Sequence, residues 1–121
     1  MTVSAEPWPV ELRLADQKST LIVVWEDGRT DELPAEYLRV ESPSAEVQGH
    51  SPTEKQTVPG KRDVTIKNVE PVGSYAVRLT FSDGHNTGLY SWPYLRKLAE
   101  ENETVWAAYL AALAEKGLNR G

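Results

Sequence analysis

The feature that most constrains this chain is an internal repeat. Trp25-Glu26-Asp27-Gly28 and Phe81-Ser82-Asp83-Gly84 each set an Asp-Gly pair two residues after a large aromatic side chain. Between runs of alternating apolar residues an Asp-Gly pair signals a hairpin, because Gly takes the positive φ of a tight turn without a Cβ penalty. Laying Trp25 on Phe81 brings Asp27-Gly28 onto Asp83-Gly84 and Leu33 onto Leu89. One extra residue then brings Tyr37-Leu38-Arg39 onto Tyr94-Leu95-Arg96. The unit is strand, Asp-Gly, strand, helical turn, and it occurs twice. Two copies are too few for a solenoid, so the pattern predicts two hairpin units packed around one core.

In the first unit apolar residues alternate with Glu11 and Arg13 from Val10 to Leu14, a polar turn covers Ala15 to Ser19, and Thr20–Trp25 is a second strand. Arg29–Leu33 returns, and Pro34 suits the first turn of a short helix through Ala35–Arg39. In the second unit Val64–Val69 and Tyr75–Phe81 are strands with Gly73 at the turn, and Thr87–Ser91 leads into Trp92–Arg96. The strongest helical period runs from Glu100 to Lys116, where Val105, Trp106, Tyr109, Leu110 and Leu113 recur. Asn102 is its candidate N-cap and Gly117 its left-handed stop. The expected fold class is α+β: an antiparallel sheet from two Asp-Gly hairpin units, short helical turns, and a C-terminal helix at about 101–116 packed on the sheet through Trp106 and Leu110. The 121 residues make one domain, 1–121, with its core at about 10–98. A core of that size leaves room for shallow sites only.

Thirteen Lys and Arg against eighteen Asp and Glu give a net charge of −5, so no overall field attracts a phosphate backbone, and nucleic acid is not an expected partner. No apolar run reaches the roughly 20 residues of a membrane span. The segment Met1–Pro7 lacks the charged and apolar regions of a signal peptide, so a cytoplasmic location and no membrane partner are expected. Without cysteine the chain has no disulfide, no thiolate nucleophile and no thiolate metal ligand.

Imidazole chemistry is confined to His50 and His85. Neither begins the His-x-Asp or His-x-Glu pattern of a mononuclear iron site, so a metal would need a dispersed set: Glu46, His50 and His85, with Asp83 as a possible fourth. A Gly-x-Ser-x-Gly elbow is absent, and Pro59-Gly60-Lys61-Arg62 reads as a turn rather than an anion cradle. Between the units lies Ser42–Lys61, with three prolines, two glycines and no periodicity, longer than the structureless loops compact domains usually carry. Its apolar Val47 and Val58 predict partial order, with the part around Val47 folded on the second hairpin and His50 beside His85. Paired imidazoles would both titrate below about 6.5. Trp92, Tyr94 and Arg96 are the residue types of binding hot spots and the candidate partner-binding set.

Several motifs in order carry a family resemblance. Leu38-Arg39-Val40-Glu41-Ser42-Pro43-Ser44-Ala45-Glu46-Val47-Gln48-Gly49-His50, Pro59-Gly60-Lys61, Val64-x-Ile66, Glu70-Pro71-Val72-Gly73-x-Tyr75-Ala76, and Phe81-x-Asp83-Gly84-His85-x-x-Gly88-x-Tyr90-Ser91-Trp92-x-Tyr94-Leu95 resemble the gamma-butyrobetaine-hydroxylase-like N-terminal domain family, in its small stand-alone bacterial form of unknown function. The resemblance covers about Val10 to Leu98. It implies relatives at the N-terminus of carnitine-pathway oxygenases and others fused to Mrp-type P-loop scaffold ATPases of iron–sulfur cluster assembly. In the oxygenases it implies a structural zinc on three Cys and one His, which fall here on Ser42, Ser44, Val47 and His85. Three of those four ligands are replaced, and the oxygenase's catalytic iron and 2-oxoglutarate sites belong to a domain this chain lacks. The sequence therefore points to a non-enzymatic protein-interaction or accessory module linked to iron–sulfur cluster or metal-cofactor handling. Its expected partner is a protein such as a scaffold ATPase, and it holds no tightly bound cofactor. The alternatives are a domain that binds iron or zinc weakly through Glu46, His50 and His85, and a small-molecule enzyme of unrecognised type.

Overall fold

In the computed structural model, which describes residues 8–121, the two units form two three-stranded antiparallel sheets in an α+β fold. Strands β1 (Pro9–Ala15), β2 (Thr20–Trp25) and β3 (Thr30–Pro34) pair in the order β1-β2-β3, and β4 (Ile66–Val72), β5 (Ala76–Phe81) and β6 (Leu89–Ser91) in the order β4-β5-β6. The expected sheet is thus divided in two, one sheet per unit. The helices are α1 (Ala35–Val40), α2 (Ala45–Gln48), α3 (Trp92–Glu100) and α4 (Asn102–Glu115), with a 3₁₀ turn at Pro52–Glu54. Both central strands bury alternate residues, Leu21, Val23 and Trp25 in β2 and Val77, Leu79 and Phe81 in β5. With Leu33, Tyr37, Leu38, Ile66, Tyr90 and Leu95 they form one core drawn from both units.

The repeat extends to individual hydrogen bonds. The Trp25 N–H donates to the Arg29 carbonyl at 2.8 Å and the Phe81 N–H to that of His85 at 2.9 Å. The Asp27 and Asp83 carboxylates accept the N–H of Arg29 and His85 at 3.1 and 3.0 Å, and Gly28 and Gly84 sit at φ +90° and +91°. Even the strand irregularities match: the register shifts opposite Trp25–Val24 in one sheet and opposite Phe81–Thr80 in the other. One correspondence differs from the sequence superposition. Leu33 pairs with Leu21 and Tyr90 with Val77, so Tyr90 takes the place of Leu33, while Leu89 lies exposed. The extra residue therefore falls between His85 and Leu89, where the return arm leaves regular strand geometry.

Each unit is fastened by the other. Arg39, after the first hairpin, donates through Nε to Asp83 in the second hairpin turn at 2.7 Å. Its counterpart Arg96 donates to Asp27 in the first turn at 2.9 Å. The hydroxyl of Tyr37 donates to the Leu98 carbonyl, and that of its counterpart Tyr94 to the Glu41 carbonyl. Contacts in which i meets j while j's equivalent meets i's equivalent mark a two-fold relation. The two pairs are not equal in setting: the Arg39 and Asp83 side chains are 11% and 21% exposed, those of Arg96 and Asp27 17% and 42%. Asp83 also holds Lys61 at 2.7 Å.

The C-terminal helical region is two helices. Ser91 caps α3, accepting the Tyr94 N–H, and α3 runs on to Glu100. Glu101 occupies the N-cap of α4, so Asn102 is its first residue rather than its cap. Tyr109 and Leu113 are the buried residues of α4, and Val105 and Trp106 pack partly buried on the core. Leu110, expected to pack on the sheet, is exposed, because α4 turns Tyr109 and Leu113 toward Val40 and Val58 instead.

Two consequences are measurable by urea unfolding. Trp106→Ala should cost about 3 kcal/mol and Leu110→Ala under about 1 kcal/mol; equal losses would show that the helix packs on a different face. Asp83→Asn should lower stability by about 2–3 kcal/mol, since it leaves Arg39 and Lys61 without their carboxylate. Asp27→Asn should cost distinctly less, and the reverse order would contradict the difference in burial.

Candidate functional site

The two-fold relation breaks at the extra residue, and a polar cluster occupies the break. There the return arm bulges toward the start of the inter-unit segment. A Cβ on Gly88 would collide with Ser42 Oγ, so glycine here leaves room for the Ser42 side chain. Ser42 is fully buried, and Ser44, Val47 and His85 nearly so. His85 Nδ1 lies 3.2 Å from Glu46 Oε1 and Nε2 lies 2.9 Å from Ser42 Oγ. A carboxylate only accepts, so its place beside Nδ1 favours the tautomer with the proton there, in which Nε2 accepts from the Ser42 hydroxyl. The Ser42 oxygen in turn accepts the Ser44 N–H, Ser44 Oγ meets Thr87 Oγ1 at 2.8 Å, and the Gln48 amide donates to the Ser42 carbonyl. Ser44 also caps α2, accepting the Glu46 N–H. Burial lowers the His85 pKa and the nearby Arg39 charge lowers it further, against opposing contributions from Glu46 and Asp83. His85 is therefore neutral at pH 7.

Serine, imidazole and carboxylate stand here in the connectivity of a hydrolytic triad, which sequence spacing did not disclose. The polarity of access is reversed: a working triad buries the carboxylate and opens the serine, whereas here Glu46 is 65% exposed and Ser42 has no exposure. None of the three cavities described below is lined by Ser42 or His85. The cluster joins the inter-unit segment to the second hairpin. Nor does it suit the zinc that the resemblance implies at 42, 44, 47 and 85. One imidazole, two neutral hydroxyls already hydrogen-bonded and an alkyl group cannot supply a zinc site.

The expected gathering of Glu46, His50 and His85 is realised in one pair only. Glu46 meets His85, whereas His50 is exposed and donates its backbone N–H to Glu54. Gly49, at φ +67°, ends α2 and turns the chain into the Pro52–Glu54 turn before His50 can double back. Among the described residues no three His, Cys, Asp or Glu side chains group as a metal requires. The lowered His85 pKa thus comes from burial and Arg39, not from a second imidazole. Val47 is buried, and Val58 packs with Val40, Tyr109 and Leu113.

Trp92, Tyr94 and Arg96 are all engaged within the fold. The Trp92 indole N–H donates to the Ser74 carbonyl, the Tyr94 hydroxyl to that of Glu41, and Arg96 stacks on Trp25 while bonding Asp27 and Glu100. A more open feature lies between α4 and the inter-unit segment: a groove of about 430 Å³ walled by Lys55, Gln56 and Thr57 on one side and Thr104, Ala108 and Ala112 on the other. At one point in its wall the Glu41 carboxylate, 6% exposed, is met by Lys55 Nζ at 2.6 Å. Gln48, Tyr94, Lys97, Glu101 and Tyr109 complete its polar lining. One signal in the sequence pointed here: Glu41 stands at the repeat position that Leu98 fills in the second unit. Smaller cavities of about 270 and 220 Å³ lie beside Lys61–Val64 and beside Glu36 and Trp106. No helix among the described residues is long and apolar enough to cross a membrane.

Comparison with known proteins agrees with this architecture. The family model described as gamma-butyrobetaine hydroxylase-like, N-terminal, matches residues 12–96. A protein solved in solution by NMR is 44% identical, with a TM-score of 0.81 over 96% of this chain and 91% of its own. Another is 42% identical, with 0.83 over 99% and 90%. A crystal structure of a protein of unknown function from Acidithiobacillus ferrooxidans, assigned to the DUF971 family, is 46% identical, with 0.64 over 76% and 92%. Among curated proteins none matches.

The buried imidazole gives stability a pH dependence of defined sign. Its folded pKa lies below 6.5, so between the two values the unfolded chain binds the extra proton, and stability present above 6.5 is lost as pH falls through the folded pKa. Asp83 acts lower. Burial alone would raise its carboxyl, but Lys61, the His85 backbone N–H and Arg39 outweigh that and hold it well below 3.8, so its contribution disappears only in stronger acid. The melting temperature should fall below pH 6.5. His85→Gln should flatten that first decline and keep the second, and an unchanged first decline in this variant would assign it to other groups.

Proposed function

The chain belongs to the gamma-butyrobetaine hydroxylase-like N-terminal family, and from that premise we propose that it is a non-catalytic interaction module whose partner seats in the Glu41–Lys55 groove. The groove carries the reading. It is the largest of the three concavities described, and Thr104, Ala108 and Ala112 present short side chains that let a partner's main chain come close. Its anchoring carboxylate is buried, while the lysine that neutralises it is 40% exposed and sits on the inter-unit segment. Specific interfaces are organised around such desolvated anchors with an exchangeable polar rim. The groove's charged side chains are Glu41, Lys55, Lys97 and Glu101; Lys55 is ion-paired to Glu41 and the Tyr94 and Tyr109 hydroxyls donate to backbone carbonyls, an arrangement that suits binding rather than nucleophilic attack. The one Ser-His-carboxylate set is sealed.

The relatives fused to scaffold ATPases of iron–sulfur cluster assembly, implied by the sequence resemblance, make such an ATPase the partner to test first. A second reading, weak binding of iron or zinc, has one observation in its favour, the Glu46 carboxylate beside His85 Nδ1. It would use those two groups, with His50 recruited only by a rearrangement of residues 49–54.

The test is a calorimetric titration of the purified chain with a purified Mrp-type scaffold ATPase. Ala108→Trp fills the groove from an exposed helix position and should weaken binding at least about ten-fold, the equivalent of 1.4 kcal/mol, while melting like the parent. Binding that ignores this substitution removes the groove from the proposal, and no binding by either chain removes the partner.

A further inference from the structure

Beyond α4 the chain folds back and seats an arginine in a place prepared for it. Gly117, at φ +68°, reverses the direction, and the Leu118 N–H donates to the Leu113 carbonyl. The next residues lie along the end of the inter-unit segment: the Gly60 N–H donates to the Asn119 carbonyl at 3.0 Å and the Arg62 N–H to the Arg120 carbonyl at 2.8 Å. The Arg120 guanidinium grips Glu36 with two bonds, Nε to Oε2 at 2.8 Å and a terminal nitrogen to Oε1 at 2.6 Å. Its Cζ stands 5.4 Å from the centroid of the Trp106 ring. Pro34, Tyr37 and Asn102 complete the walls of this cavity of about 220 Å³.

Glu36 needs explaining, because its carboxylate is 8% exposed while Arg120 remains 38% exposed. The repeat does not call for an acid there: the equivalent position in α3 is Pro93. Burying a carboxylate costs several kcal/mol that a single ion pair seldom more than repays, so the pair is a poor choice for stability alone. It is a good choice for recognition. A planar carboxylate beside an aromatic face selects a guanidinium, which fits both, over an ammonium, which is a point charge. The two backbone N–H groups add main-chain contacts that any extended segment can satisfy.

We propose that Glu36, Trp106 and the Gly60–Arg62 backbone form a docking site for an extended, arginine-bearing segment of a partner protein, and that residues 118–121 occupy it in cis as a built-in competitor. Residues 118–121 show the required occupant: carbonyls spaced for Gly60 and Arg62 and a guanidinium reaching Glu36. The site shares no lining residue with the Glu41–Lys55 groove, so it stands whether or not the groove is an interface.

The test uses the isotope-labelled 121-residue chain and, as probe, the blocked peptide acetyl-Gly-Leu-Asn-Arg-Gly-amide, which copies residues 117–121. With Arg120→Gln the peptide should shift the amides of Glu36, Gly60 and Arg62 and the Trp106 indole. It should bind this variant at least about ten-fold more tightly than the parent chain, whose own arginine competes. A peptide with lysine for arginine should bind at least about ten-fold more weakly, and adding Glu36→Gln should abolish the shifts. Arg120→Lys serves in the same way if glutamine prevents folding. A folded variant that shows no shift at millimolar peptide overturns the site. Equal response to arginine and lysine peptides overturns the specificity, and equal affinity for variant and parent overturns the competition.

Discussion

The exchange of arginines between the two halves holds the rest of the molecule in register. Arg39 reaches into the second hairpin turn and Arg96 into the first, so each turn is completed by a residue from the opposite unit. Tyr37 and Tyr94 repeat the exchange two residues earlier on their helices. The hydrophobic core alone would let two similar sheets slide or rotate, since apolar burial carries no direction. Charge-assisted hydrogen bonds at fixed geometry remove that freedom. These four side chains set one unit against the other.

Symmetry also shows where the chain departs from it. In the first unit the arm after Asp27-Gly28 returns directly into strand. In the second, one added residue and Gly88 open a recess that Ser42 and Ser44 enter. The positions that the family resemblance associates with zinc ligands thus remain clustered in the interior, joined by hydroxyl, imidazole and amide groups in place of thiolates and a metal. A hydrogen-bonded network can fix such a junction only if its members are satisfied. Ser42 donates to His85 and accepts from Ser44, and His85 places its other nitrogen on Glu46.

Much of the scaffold was legible because it rests on local rules: alternation in β2 and β5, glycine in both hairpin turns, and helical spacing after Glu101. The C-terminal helix shows where local rules stop. Leu110 fits the apolar stripe as well as Tyr109 does, and only the placement of Val58 and Val40 decides which residue is covered. The extra residue of the second unit was visible as a count but not as a place, because Leu89 and Tyr90 are both acceptable strand residues, and burial of Tyr90 decides between them. His50 depended on the direction in which the chain leaves α2, which Gly49 sets through one backbone angle. Trp92, Tyr94 and Arg96 are half-buried and bond within the fold, a placement that their residue types alone do not show. Glu41 and Glu36 carried a signal in the repeat itself, as acids standing where the second unit has leucine and proline.

The reciprocal fastening also governs the order in which the molecule can assemble. Its four polar ties span 44, 53, 61 and 69 residues of sequence, so none can form until both halves are synthesised and condensed. Contacts of such long range slow the search for the native state, since loop closure is costly before any reward is gained. Each half alone would present a sheet with a bare apolar face and a hairpin turn whose carboxylate has no guanidinium. Thr53, Glu54 and Lys55 are exposed and lie between the halves, so a break in the backbone there would leave two complementary fragments, each supplying the missing template for the other.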